Sequence, residues 1–421
     1  MSKFVINGGN KLFGEVTVQS AKNSLLPLIS ACILIDGKVT FLNCNKLNDV
    51  CVMLDIIKAL GGSYSWNGSS LTVDCSSLTS YELPKELTSK IRASIFCLGP
   101  LLGRFHKALF FKSGGCDIGE RPIDLHINGL TKLGAEFSLG DVIYSRVDEV
   151  IGSEITLPFK SVGATENIMM LASVCKGKTV IKNCAKEPEI SNLAELLRRA
   201  GGEIYGAGTD VIEVYGVPKL KSNDIVFTPV PDRIETGTYL LSTLSTGGEV
   251  TIKNCIFSHN VALIKKIYNN ACKISINNDK IYIKSMGVGN SLGFVKTAPY
   301  PGYPTDLQTP LVAYASTLNG MTIVHEGVFS SRFNQIAELK KMGADLTVVK
   351  NRVVIEGVRT LYGANVTALD LRGGAGMVIA GLKAHGQTVI NNAEIIDRGY
   401  YDLEGKLRSL GADVTRIHDE I

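Results

Sequence analysis

A short run built as "glycine, β-prone residues, then Asn or a small residue" recurs along this chain at an interval near 70 residues. It reads Gly37-Lys-Val-Thr-Phe-Leu-Asn-Cys, Gly177-Lys-Thr-Val-Ile-Lys-Asn-Cys, Gly248-Glu-Val-Thr-Ile-Lys-Asn-Cys, Gly320-Met-Thr-Ile-Val-His-Glu and Gly386-Gln-Thr-Val-Ile-Asn-Asn-Ala, with a degenerate copy from Lys107. The steps through 37, 107, 177, 248, 320 and 386 are 70, 70, 71, 72 and 66 residues. A period of this size means repeated supersecondary units, so the fold must be assembled from copies.

Two more signals share the period. A helical pattern ends at Leu60-Gly, Leu133-Gly, Ala200-Gly, Asn270-Ala, Met342-Gly and Leu410-Gly. The Gly fits a helix C-cap in five copies; the fourth has Ala in its place. A small apolar helix precedes each first strand, at residues 23–34, 92–102, 165–174, 235–244, 307–317 and 372–383. The expectation is an α/β protein of six repeated α/β units of about 70 residues. Three units suit one domain. The Pro-punctuated stretch Phe227-Thr-Pro-Val-Pro-Asp232 marks the joint, and the strand near residues 3–7 joins the last unit. The expected domains are 21–230, and 1–20 with 231–421.

The 421 residues are 45% hydrophobic and 20% charged, a globular balance, and the net charge of +4 is too mild to imply nucleic acid. Ten cysteines without a C-x-x-C pair read mostly as small core hydrophobes in a reducing compartment. No apolar leader opens the chain and no run reaches membrane length, so a soluble cytoplasmic protein is expected, without membrane contact. The six histidines lack metal-ligand spacing, which predicts no metal.

The apolar helices begin with polar residues: Ala21-Lys22-Asn23, Ser89-Lys90-Ile-Arg92, Lys160-Ser161-Val162-Gly163, Asp232-Arg233, Thr305-Asp306 and Asp370-Leu-Arg372. Helix N-termini attract anions and disfavour cations. Capping accounts for Asp306 and Asp370 but not for Lys22, Arg92 and Arg372, which the pattern places around a polyanion. Strand-to-helix connections add Arg121, Arg332 and Arg398, a residue suited to carboxylate and phosphate contacts. The longest of the connections compared spans 113–127 and holds Gly114-Gly-Cys116, then Arg121, Asp124 and His126. A thiol near a fixed cation ionises more readily and is a candidate for chemistry. His126 taken alone is more often a packed or capping residue.

These motifs closely resemble the UDP-N-acetylglucosamine 1-carboxyvinyltransferase family of the EPSP synthase superfamily. The resemblance runs from Phe4 to about Arg416 and rests on Ala21-Lys-Asn23, Gly114-Gly-Cys-Asp-Ile-Gly-Glu-Arg-Pro-Ile-Asp-Leu-His126, Pro231-Asp-Arg-Ile-Glu-Thr-Gly237, Pro304-Thr-Asp306, Arg332-Phe, Asp370-Leu-Arg372 and Asp397-Arg-Gly-Tyr400. It implies a two-domain inside-out α/β barrel that closes over its substrates. It implies enolpyruvate transfer from phosphoenolpyruvate to the 3′-hydroxyl of UDP-N-acetylglucosamine with release of phosphate. That is the first committed step of peptidoglycan synthesis, hence of cell-wall biogenesis, cell shape and division. No cofactor is implied.

By the same resemblance, Cys116 is the proton donor, can carry a pyruvate adduct and is the target of fosfomycin. Asp306 is the base at the sugar hydroxyl. Lys22, Arg121 and Arg398 hold phosphate, and Arg332 and Arg372 make carboxylate and closure contacts. Asn23, Arg92, Arg121, Pro122, Ile123, Asp124, Leu125, His126, Ser161, Val162, Gly163 and Val328 map onto the sugar-nucleotide site, and Asp370 supports Arg398 or the proton relay. Gly373-Gly374 departs from the family's Ala-Ser-like pattern and is expected to loosen that helix start; a shorter approach to Ser161 is a second departure. Two alternatives are an enolpyruvyl transferase acting on another alcohol and a non-catalytic nucleotide-sugar-binding paralogue. The intact Lys22, Cys116, Arg121, Asp306 and Arg398 argue against the latter. Sequence leaves the oligomeric state open.

Overall fold

The computed structural model describes residues 2–111, 123–329 and 332–418. The β-prone runs after each repeat glycine become strands at Lys38–Phe41, Lys107–Phe111, Lys178–Lys182, Glu249–Lys253, Met321–His325 and Gln387–Asn391. Their side chains alternate between buried and more accessible, the period-two pattern of a sheet covered on one face.

Each of these strands sits in its own sheet, and one pairing scheme recurs among the described residues. Lys178–Lys182 lies parallel to Glu154–Thr156 and antiparallel to Val211–Tyr215, which pairs in turn with Glu203–Tyr205. Met321–His325 is parallel to Phe294–Lys296 and antiparallel to Arg352–Glu356, followed by Asp345–Val349. In the sheet of Gln387–Asn391 the antiparallel neighbour is Ser2–Asn7, paired onward with Asp413–His418. The sheet of Lys107–Phe111 keeps the antiparallel pairs but has one parallel bridge, Glu82 to Leu109, where the others have a strand. The helix-ending glycines Gly61, Gly134, Gly201, Gly343 and Gly411 take φ of 99°, 102°, 98°, 87° and 93°. Ala271 holds the left-handed region at φ 51° in the fourth copy, a strained choice for a residue with a Cβ.

Contacts divide the chain into two compact units, residues 20–111 with 123–230, and residues 2–19 with 231–418. Each has its own hydrophobic core. Each core is built on helices that are buried around nearly their full circumference, most of their residues apolar or small. In the first unit these are Lys22–Ala31, Leu98–Phe105 with the preceding 3₁₀ turn Arg92–Cys97, and Val162–Ala172. In the second they are Arg233–Thr246, Gln308–Ala315 and Leu371–Lys383, packed on one another.

Close contacts fix the directions. A Cβ on Gly163 would lie against Phe96, one on Gly99 against Asn167, and one on Gly103 against Leu171, Val174 and Leu34. In the second unit Gly237 meets Leu307, Asp306 meets Arg372, and Gly376 meets Thr309. The helices within a unit are therefore parallel, and their N-termini gather at one end of that unit. Among the described residues no helix is long and apolar enough to cross a membrane.

Candidate active site

In the first unit Lys22 opens its helix with no acidic residue in the first turn. Its Nζ lies 3.1 Å from Asp49 Oδ2, and both side chains are nearly buried. Asp49 thus offsets a cation that a positive helix end disfavours. Asn23 and Arg92 are half-buried at the starts of neighbouring helices. Ser161 caps the third helix, accepting from Ala164 N at 3.3 Å, and Val162 and Gly163 form its first turn. Lys160 is committed elsewhere: it pairs with Asp210 and donates to Cys184 O.

Asp124 begins the helix Asp124–Thr131, with Ile123 before it, and Ile123 and Leu125 pack on the core. His126 is buried. Asn167 orients it. The Asn167 Oδ1 accepts from Gly99 N, so its Nδ2 is the donor to Ile95 O and to His126 Nδ1, both at 2.9 Å. His126 Nδ1 is then an acceptor and Nε2 carries the proton. Burial and the Arg92 charge push the His126 pKa down to about 4, which keeps the ring neutral near pH 7. A Cβ on Gly163 would stand 3.0 Å from His126 Cε1 and 3.2 Å from Nε2, so the glycine eases the close approach of the ring to that helix start. Cys116, Arg121 and Pro122 lie outside the described residues.

In the second unit Asp306 stands between two arginines. Its Oδ1 accepts from Arg332 Nη2 at 2.9 Å; its Oδ2 accepts from Arg372 Nε at 3.1 Å and lies 3.0 Å from Arg372 Nη2. Both guanidiniums have side chains 3% exposed, against 23% for Asp306. Burial works against the Arg372 charge, but Asp306, with Tyr400 and Asp232, outweighs it and holds the group above its ordinary pKa. Arg372 also lies over the Tyr400 ring, 5.3 Å from its centroid, and Tyr400 Oη is 2.9 Å from Thr238 Oγ1. Among the described residues, two N–H groups here, Arg332 Nε and Arg372 Nη1, are buried without a hydrogen-bond partner. Such donors suit an incoming anion.

Asp370 caps its helix: Oδ1 accepts from Arg372 N at 2.8 Å and Gly373 N at 2.9 Å. Arg398 ends the 3₁₀ turn Ala393–Arg398 and is half-buried. Its neighbours are pinned on both sides. Asp397 takes two hydrogen bonds from Arg416, and Gln19 bonds Gly399 O and Tyr401 N. Val328 donates its N–H to Glu326 Oε1.

The family model described as EPSP synthase (3-phosphoshikimate 1-carboxyvinyltransferase) matches residues 6–407. The chain belongs to the EPSP synthase family. Within it, 46% of 419 aligned residues are identical to a protein of Caldanaerobacter subterraneus subsp. tengcongensis named UDP-N-acetylglucosamine 1-carboxyvinyltransferase 2, covering 99% of this chain and all of that one. A Staphylococcus aureus protein named UDP-N-acetylglucosamine 1-carboxyvinyltransferase 1 is 42% identical over 424 residues, with both chains fully covered. Among solved structures, the enolpyruvyl transferase NikO from Streptomyces tendae superposes with a TM-score of 0.88 at 23% identity, over 99% of this chain and 98% of that one. EPSP synthase from Acinetobacter baumannii gives 0.74 at 16% identity, over 99% of this chain and all of that one. The fold is thus the α/β fold of EPSP synthase-like enolpyruvyl transferases.

In this EPSP synthase family member the Gly373-Gly374 pair does not loosen its helix, which is intact through Leu371–Lys383. A Cβ at Gly373 would lie 2.4 Å from Gln335 Oε1. The glycine makes room for Gln335, which bonds Leu369 N and Thr367 O and so fixes the approach to Asp370.

Sequence reasoning missed Asp49, Asn167 and Glu166. The last two stood in view as polar residues inside an apolar helix; Asp49 gave no signal, because only folding brings it to Lys22. Glu166 is 0% exposed, and among the described residues neither carboxyl oxygen has a hydrogen-bond partner. Burial, then the nearby Glu189 and Glu187, raise its pKa well above the ordinary 4.5. Below 4.5 the carboxyl is neutral in both folded and unfolded chains. As pH rises through and beyond that value the unfolded chain ionises first, and stability falls by up to about 1.4 kcal/mol per pH unit until the folded-state pKa is passed. Glu166→Gln is therefore expected to raise the thermal midpoint at pH 8 and to leave it unchanged near pH 4. An equal midpoint at pH 8 would show that the carboxyl is stabilised as an anion.

Proposed function

We propose that this chain transfers enolpyruvate from phosphoenolpyruvate to the 3′-hydroxyl of UDP-N-acetylglucosamine, releasing phosphate, as the first committed step of peptidoglycan synthesis in the cytoplasm. One observation carries the reading: relatives matched from end to end bear the name of that activity. The six like-ordered sheets around buried helices support two inside-out α/β barrels of three units each, over the expected domains 21–230 and 1–20 with 231–421.

The chemistry is an addition followed by an elimination. In the addition, the sugar hydroxyl attacks C2 of phosphoenolpyruvate while C3 gains a proton. Asp306 takes the hydroxyl proton and Cys116 supplies the one at C3. In the elimination the proton traffic at C3 reverses: the Cys116 thiolate takes a proton from C3, the double bond reforms and the C2–O bond to phosphate breaks, releasing phosphate. Asp306 can serve as base while paired.

Lys22, Arg121 and Arg398 hold the phosphate. Arg332 and Arg372, through the buried donors Arg332 Nε and Arg372 Nη1, take the carboxylate. Asn23, Arg92, residues 121–126, Ser161–Gly163 and Val328 receive the sugar nucleotide, whose diphosphate suits the gathered helix N-termini. Asp49 and Asp306 pair with the cations that substrate anions would meet.

The test is phosphate release. Phosphoenolpyruvate with UDP-N-acetylglucosamine is expected to yield one phosphate per enolpyruvyl product, and phosphoenolpyruvate alone to yield none at the steady-state rate. Absence of phosphate with both substrates present would overturn the reading.

A further inference from the structure

We propose that Glu326 is a positioning residue that locks the base Asp306 and the Val328 backbone into one rigid frame. It touches neither substrate in this reading, which rests on the roles given above to Asp306 and Val328.

Glu326 follows directly on the strand Met321–His325 and is 2% exposed, a place where a carboxylate needs several donors to persist. It has them. Oε1 accepts from Thr297 Oγ1 at 2.7 Å, Val328 N at 2.9 Å and Phe329 N at 3.2 Å. Oε2 accepts from Thr305 Oγ1 at 2.9 Å. Thr305 Oγ1 in turn accepts from Arg332 Nη1 at 3.0 Å, and Arg332 Nη2 donates to Asp306 Oδ1 at 2.9 Å. The chain Glu326–Thr305–Arg332–Asp306 is thus continuous, and every link has hydrogen-bonding geometry.

Its polarity is fixed. A carboxylate only accepts, so the Thr305 hydroxyl must point its proton at Glu326 and present a lone pair to Arg332. The guanidinium fork then has one tooth on Thr305 and the other on Asp306, which sets the plane in which Asp306 is held. The same carboxylate tightens the turn at Val328 through two backbone N–H groups. One buried charge therefore aligns two places where a nucleotide sugar must be gripped and deprotonated. Binding such a sugar elsewhere would not need the relay; moving a proton at a fixed hydroxyl does, because small displacements of a base cost large factors in rate.

Glu326→Gln and Thr305→Val test this. With Gln, the amide can still accept from the backbone but offers Thr305 a donor where it needs an acceptor. Val keeps the shape of Thr305 and removes the relay. Each is expected to lower kcat by about tenfold or more, with KM for phosphoenolpyruvate within about twofold of wild type. Their double variant is expected to be no slower than the worse single, because both cut one chain.

Wild-type kcat in either single variant overturns the proposal, as does a fully multiplicative loss in the double. If Glu326→Gln fails to fold, Thr305→Val alone decides by the same kinetic criteria. Asp306→Asn is run beside them. If Asp306→Asn is fully active, the reading of Asp306 as base falls and the inference with it. If Asp306→Asn is inactive while both other variants match wild type, only the inference falls.

Discussion

Asp306→Asn is expected to lower kcat by about 10²–10⁴-fold, the usual worth of a positioned general base. It is also expected to lower the thermal midpoint. The two effects have different origins. Asn keeps the size of the side chain but neither accepts the sugar proton nor carries charge. Arg332 and Arg372 each have side chains 3% exposed and lose their carboxylate. Removing one partner from a buried ion pair costs about 3–5 kcal/mol in well-enclosed cases. The partial exposure of Asp306 places this site toward the lower end. Rates measured well below the midpoint separate catalysis from stability. A near-normal kcat would remove Asp306 from the role of base, and an unchanged midpoint would mean that the arginines are compensated without it.

Alkylation is expected to inactivate the protein completely by adding one mass at Cys116. A phosphonate epoxide such as fosfomycin is the reagent, with peptide mapping as the readout. The selectivity follows from the other nine cysteines, all described. Seven are buried and two, Cys51 and Cys272, are half-buried. Burial pushes Cys44, Cys75 and Cys97 up to about 12 and Cys184 and Cys255 up to about 11, and it holds Cys32 well above the ordinary thiol value. Burial raises Cys51 and Cys272 as well. A pKa of 12 leaves about 10³-fold less thiolate near neutral pH than a free cysteine has. A second adduct on Cys51 or Cys272, or an unmodified Cys116 in inactivated protein, would count against a specially reactive loop thiol.

Much of the architecture was legible because it depends on local rules. A glycine, a β-prone run and an Asn make a strand and a tight exit wherever they occur, and Asn43, Asn183, Asn254 and Asn392 all take the left-handed conformation, with φ of 53–57°. Apolar helices without a polar face announce burial from composition alone. The site was legible in part. The polar starts of the buried helices were visible, and so were their arginines. What each cation meets was not, because the partner lies far away in sequence. Lys22 finds Asp49 across 27 residues, and Arg372 finds Asp306 across 66. By composition Gly373 reads as a weakness; in the fold it leaves room for Gln335, whose Oε1 would lie 2.4 Å from a Cβ there.

The sequence by itself determined the repeat, the strands and buried helices, the cationic helix starts and the thiol loop motif. These follow from backbone propensity and hydrophobic period, which act within a few residues. Tertiary structure alone decided that the helices run parallel within each unit, that Asn167 sets the tautomer of His126, and that Asp306 sits between Arg332 and Arg372. Those are relations between side chains carried on different elements. Hydrogen bonds and ion pairs act over about 3 Å, so only the packed fold can bring their partners into range.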